Sequence, residues 1–369
     1  MKRTLRVMIW LPLMAALCCG TAWAQDQQAQ KPSGADAFRQ AYKLTQGTRD
    51  AETYNKVIDL CEQGLQDTED PKFVAYGKNL AAWAYNGRGE ERLDAGDVDK
   101  ALEDFNAAVK YDGKQAKYVH NRAFCHATKG DLENAVADFS TVLELDPEYT
   151  KARFHRGEAY FLMNDLDKAK QDYTAAIRLD SRNADAYNAR GFVSYLQGDY
   201  RAAFSDYNQA LRINNRHPGA LTNRGDAYAD TGQYDQALRD YNGALAVDPE
   251  YHRAYASAGW LRATCPDSRV RRTDLALRSA RRAVELGGES PRYLSILAAA
   301  LARSGNYKEA VDTQKKANDA AGDMASEKEL DRYKQQLAQY EAGKPYTDTL
   351  QAQGQGQGQG QSQNQAAAQ

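Results

Sequence analysis

An all-α chain, built as an α-solenoid of antiparallel helix pairs, is predicted by three observations. Stepping 34 residues at a time from Gly89 reaches Ala123, Gly157, Gly191, Gly225 and Gly259, a small residue each time. Twelve residues after the first five stand Ala101, Ala135, Ala169, Ala203 and Ala237, and four further on an aromatic follows: Phe105, Phe139, Tyr173, Tyr207 and Tyr241. Between small residue and alanine the chain reads Gly96-Asp97, Gly130-Asp131, Asn164-Asp165 and Gly198-Asp199, with Gly232 at the same place in the fifth unit. Gly or Asn supplies the left-handed residue that ends one helix, and Asp accepts the free N–H groups that open the next. Such a period belongs to helix pairs that bury one another's apolar faces without a single central core.

The elements follow in order. Residues 1–24 read as a secretory signal peptide: basic Lys2-Arg3-Thr4-Leu5-Arg6, apolar Val7 to Gly20, then Ala22-Trp23-Ala24 before Gln25. About 14 apolar residues are too few for a spanning helix. Residues 25–33 are a linker, and residues 34–82 a degenerate repeat with helices over Ala35 to Leu44 and Ala51 to Leu65, then a long helix from Pro71 towards Leu93. Five regular units occupy residues 83–250, joined by Asp146-Pro147-Glu148 and Asp248-Pro249-Glu250, where Pro is placed to open the following helix. Residues 251–346 hold divergent units. A sixth is stretched by five residues around Ala263-Thr264-Cys265-Pro266-Asp267 before a helix over Leu275 to Leu286. A seventh pair spans Arg292 to Arg303 and Tyr307 to Ala320, with a capping helix over Glu327 to Glu341. The Gln/Gly-rich tail, residues 347–369, lacks the apolar content that ordering requires, so disorder is predicted there.

The small, small, aromatic, small pattern, with its occasional Pro, resembles the tetratricopeptide repeat (TPR) family over residues 83–250. That resemblance implies a right-handed TPR superhelix whose concave side is lined by the first helix of each unit. The run from Ala263 to Tyr346 resembles a C-terminal module of exported bacterial TPR proteins. One departure is regular: Arg88, Arg122, Arg156, Arg190 and Arg224 stand where the family often has Leu. Sixteen residues after each is an acid, Asp104, Asp138, Asp172, Asp206 and Asp240, which predicts an internal ladder of bidentate Arg–Asp pairs between the two helices of each unit.

Composition narrows the function. Of 369 residues 42% are hydrophobic and 27% charged, with a net charge of −2. Mild acidity without a basic stripe excludes a nucleic-acid partner. Cys61, Cys125 and Cys265, the three cysteines beyond the signal, are too few for a disulfide scaffold and read as free, buried thiols. None of the five histidines has metal-ligand spacing, although His120 and His155 start consecutive first helices. No phosphate loop or nucleophile elbow is visible, so no enzyme activity and no cofactor are expected.

A binding scaffold is the reading that remains. By the family's geometry, the second, fifth, ninth, twelfth and thirteenth positions of each unit face the groove. The candidate protein-binding residues are Asn86, His120, Phe124, Lys151, Phe154, Glu158, Phe161, Asn188, Phe192, Tyr195, Asp226 and Trp260. The carboxylate clamp of TPR co-chaperones, Lys at the fifth position and Asn at the ninth, is absent: the ninth positions are Glu90, Phe124, Glu158, Phe192 and Asp226. The expected partner is a protein or peptide, bound in the periplasm or outside the cell, with no integral membrane anchor after signal cleavage; the oligomeric state stays open. Two alternatives are a self-associating structural spacer and an accessory subunit of an envelope enzyme complex.

Overall fold

The computed structural model describes residues 33–322 and 326–348. The signal peptide, all of the linker but Ser33, and the tail beyond Asp348 lie outside the described residues. Among the described residues there are seventeen α-helices and no strand. They are α1 Gly34–Thr45, α2 Ala51–Gln66, α3 Pro71–Asp94, α4 Val98–Tyr111, α5 Ala116–Thr128, α6 Leu132–Leu145, α7 Thr150–Leu162, α8 Leu166–Leu179 and α9 Ala184–Leu196. The remainder are α10 Tyr200–Ile213, α11 Pro218–Asp230, α12 Tyr234–Val247, α13 His252–Thr264, α14 Thr273–Gly287, α15 Pro291–Arg303, α16 Tyr307–Ala321 and α17 Glu327–Glu341. From α3 onward they pack as consecutive pairs, and the first helices also touch one another across units, α5 on α7, α9 on α11, α11 on α13 and α13 on α15.

The repeat positions have the mechanical role their size dictates. Ala101, Ala135, Ala169, Ala203 and Ala237 are fully buried, as are Ala108, Val142, Ala176, Ala210 and Ala244. The aromatic of each second helix lies flat on the small residue of the first. A Cβ on Gly157 would stand 2.8 Å from Tyr173 Cε1, and one on Gly191 would stand 2.9 Å from Tyr207 Cε1. Gly96, Gly130, Gly198, Gly232 and Asn164 all take positive φ, between 60° and 81°, at the turn inside each unit. Asp97, Asp165 and Asp199 cap the following helices through Lys100, Lys168 and Ala202 N–H.

Local chemistry departs from expectation in a few places. Asp131 makes no cap bond; its carboxylate is taken by Asn134 Nδ2 at 2.8 Å and His126 Nδ1 at 3.0 Å. Pro147 and Pro249 do not open helices. Each sits in a turn in which the preceding Asp accepts a backbone bond two residues on, Glu148 N–H at 3.0 Å and Glu250 N–H at 2.9 Å. That Asx geometry delays helix entry to Thr150 and His252. The division drawn between residues 82 and 83 falls inside α3, which is one continuous helix. Thr347 and Asp348, assigned to the tail, pack on the body of the repeat array, where Asp348 is only 6% exposed.

The Arg–Asp ladder is present in every regular unit. Both carboxylate oxygens are bonded by Nε and Nη2 of Arg88, Arg122, Arg156, Arg190 and Arg224, at 2.6–3.0 Å. The structure adds a link between units. Nη1 of Arg156, Arg190 and Arg224 reaches back to Ser140, Thr174 and Asn208 on the second helix of the preceding unit, at 2.9, 3.2 and 2.7 Å.

Candidate functional site

Five first helices, α5, α7, α9, α11 and α13, together wall a cleft of about 440 Å³. Five of the sequence-predicted residues line it: Phe124, Glu158, Phe161, Asn188 and Phe192. Phe124 is 37% exposed, and Phe161 and Phe192 meet at 5.7 Å. Leu162, at 63% exposure, continues the apolar surface to the rim. The polar end is a chain of amides: Arg253 Nη2 donates to Asn223 Oδ1 at 3.0 Å, and Asn223 Nδ2 donates to Asn188 Oδ1 at 2.9 Å. His155 Nδ1 contacts Glu158 at 2.8 Å.

The other predicted residues lie elsewhere. Lys151 is exposed at the start of α7, outside the cleft lining. Asn86 is buried and accepts from Asn121 Nδ2 at 2.9 Å. Phe154 packs inward against Tyr173, with ring centres 5.7 Å apart. Tyr195 Oη–H donates a hydrogen bond to Asp230 Oδ2 at 2.6 Å, and Asp226 accepts from Tyr241 at 2.8 Å. Burial pushes the Asp230 carboxyl up to about 6 and raises that of Asp226 as well. Trp260 is covered by the chain's own C-terminal segment, through Asp348, Tyr346 and the Arg332 guanidinium.

His120 is 8% exposed, wedged among Phe139, Tyr149 and His155, with no hydrogen-bond partner for Nε2. Burial lowers its pKa to about 4. The unfolded chain takes up that proton near the ordinary value of about 6.5, so between those limits the unfolded state binds more protons and stability falls with acidification. Urea titration should show wild type losing about 2 kcal/mol more than His120→Phe between neutral pH and about pH 5. Equal losses would mean that the His120 site opens before it titrates.

Among the polar residues of the cleft, His155 and Asn223 stand at sixth positions, outside the groove set, whereas Arg253 stands at a second position, where the family's geometry places a groove residue. The signal for Asn223 was present: Asn86 and Asn121, like Asn188 and Asn223, are 35 residues apart, one more than the period. Among the described residues no group of His, Cys, Asp or Glu could hold a metal ion, and no helix is long and apolar enough to cross a membrane. Cys61, Cys125 and Cys265 are free and buried; burial raises the first two thiols to about 12 and about 11.

Fold and cleft together define an α-solenoid repeat protein that offers a partly apolar concave surface. Three family models match it: one described as TPR repeat over residues 157–198, and two described as tetratricopeptide repeat, over 194–258 and over 86–150, 126–169 and 268–325. The chain belongs to the tetratricopeptide repeat family, whose scaffolds in general mediate protein–protein contacts and are non-catalytic. Among solved structures it is similar to a tetratricopeptide repeat protein from Parabacteroides merdae, with 16% identity and a TM-score of 0.52 over 70% of this chain and 98% of that one. It is also similar to Pseudomonas aeruginosa pilF, with 18% identity and a TM-score of 0.50 over 59% and 96%, and to yeast Tom70, with 17% identity and a TM-score of 0.49 over 87% and 66%. These likenesses are of fold. No curated protein matches the chain.

Proposed function

We propose that this chain is a non-catalytic interaction scaffold or adaptor of a bacterial cell envelope, and that it holds a peptide or protein segment in the concave cleft. The observation that carries the reading is Phe124, Phe161 and Phe192 lining one cleft from three successive first helices. Clustered aromatic anchors supply most of the energy of a protein contact, and a contiguous exposed apolar patch on a soluble fold marks an interaction surface. The envelope location rests on the basic, apolar and small-residue succession of residues 1–24. Nucleic acid has no place in this reading.

The test is comparative capture from an envelope extract, with wild type beside a Phe124→Ala, Phe161→Ala, Phe192→Ala variant of equal helicity. The expected result is a partner held by wild type and lost by the variant. Partners retained equally by both would remove the cleft as the binding site.

A further inference from the structure

The last described residues rest on α15 and on α13, one of the first helices that wall the cleft. Beyond α17 the chain turns at Gly343 and continues as a non-helical strap. Tyr346 O accepts from Arg303 Nη2 on α15 at 2.7 Å, and its ring lies 5.9 Å from that of Trp260 on α13. Asp348 N–H donates to Thr264 O at 2.9 Å, and Asp348 Oδ2 accepts from Trp260 Nε1 at 3.2 Å. Its charge is felt by Asp230 on α11. Within three residues the strap therefore crosses from α15 to α13. The strap presents an aromatic ring and a carboxylate to them.

The cleft, which shares α13 with the strap, offers partners for the same two kinds of group. Its apolar floor is Phe124, Phe161 and Phe192, and its polar end is Arg253. Arg253 donates to Asn223 Oδ1 at 3.0 Å and approaches Tyr251 Oη at 3.5 Å, yet it forms no ion pair among the described residues. The carboxylate it acts on electrostatically, Asp226, is held by Tyr241 at 2.8 Å. A guanidinium with open donors donates to a carboxylate in preference to a neutral group.

We propose that the partner of the cleft is a non-helical peptide segment with bulky apolar side chains beside an acidic one. The apolar groups seat on Phe124, Phe161 and Phe192, and the side-chain carboxylate meets Arg253. The proposal rests on the cleft being the binding site, as read above.

The test uses the full chain and two fluorescein-labelled peptides in a Gly/Ser background, one carrying Phe-Leu-Ser-Asp and the other its amide twin, Phe-Leu-Ser-Asn. Fluorescence anisotropy should give at least about tenfold tighter binding of the acidic peptide, the scale of one charge-assisted hydrogen bond. Arg253→Gln, with helicity matched to wild type, should abolish that preference. Added salt should weaken the acidic peptide alone. Equal binding of both peptides, a preference that survives Arg253→Gln, or no binding of either would overturn the proposal. Equal binding that Phe161→Ala, Phe192→Ala removes would overturn the carboxylate match while leaving the cleft as the site. Equal binding that survives those substitutions would overturn both.

Discussion

Replacing Arg190 with Leu is expected to cost the fold about 3 kcal/mol, read as a shift in the urea midpoint, and the loss should exceed that of the double variant Arg190→Leu, Asp206→Leu. The reason is burial on one side of the pair. Asp206 is 9% exposed and Arg190 21%, so removal of the guanidinium strands a carboxylate that water reaches poorly. Removing both leaves two apolar groups of fitting length and no stranded charge, which is close to neutral in many buried pairs. Arg190 also does more than pair: Nη1 reaches Thr174 in the preceding unit, and the guanidinium lies 5.6 Å from the Tyr187 ring. One side chain thus ties together both helices of its own unit and the unit before it. A double-mutant cycle isolates the pairwise share. Zero coupling energy would mean that solvent screens the pair and that the ladder sets helix register without stabilising it.

The ladder also marks what a single sequence makes legible. Arg and Asp sixteen residues apart, repeated five times, form a contact within one unit, and every such contact repeats with the period. The helix pairs, the left-handed turns and the buried alanines were legible for the same reason. Several contacts between the first helices of neighbouring units have a different spacing. Asn121 bonds to Asn86, Asn223 to Asn188 and Asp230 to Tyr195, each at a separation of 35. In these pairs the partner stands one residue past the period, whereas Phe161 and Phe192 are 31 apart and Asn223 and Arg253 30. A fixed set of groove positions consequently places Phe124, Phe161 and Phe192 in the cleft, yet it takes in buried Asn86 and His120 and omits Asn223. Trp260 illustrates a further limit. Its cover, Asp348, lies 88 residues downstream, and no periodic pattern encodes a contact of that range. Pro147 shows competition at short range, where the Asp146 side chain closes a turn before the proline can begin a helix.

The contact between small residue and aromatic leads to the second large effect. Gly225→Val is expected to cost about 3–5 kcal/mol, the sum of overpacking and a displaced hydrogen bond to a carboxylate. A Cβ at this position would stand 2.6 Å from Tyr241 Cε1 and 2.8 Å from Cδ1, with the Ala237 carbonyl oxygen at 3.3 Å. Tyr241 has no room to retreat: it is 1% exposed, and its hydroxyl is committed to Asp226 Oδ1 at 2.8 Å. The valine must move the ring, and moving the ring takes the tyrosine donor from the half-buried Asp226 carboxyl. The second unit provides a natural comparison, since Ala123 there faces Phe139, a ring with no hydroxyl to hold it in place. Thermal unfolding of Gly225→Val beside Gly225→Val, Tyr241→Leu separates the two costs. The smaller leucine relieves the clash but cannot donate to Asp226, so the double variant should recover only the overpacking share. Full recovery would mean that the Tyr241–Asp226 bond contributes nothing, and no recovery would place the damage in the α11 backbone rather than in the ring it was built to receive.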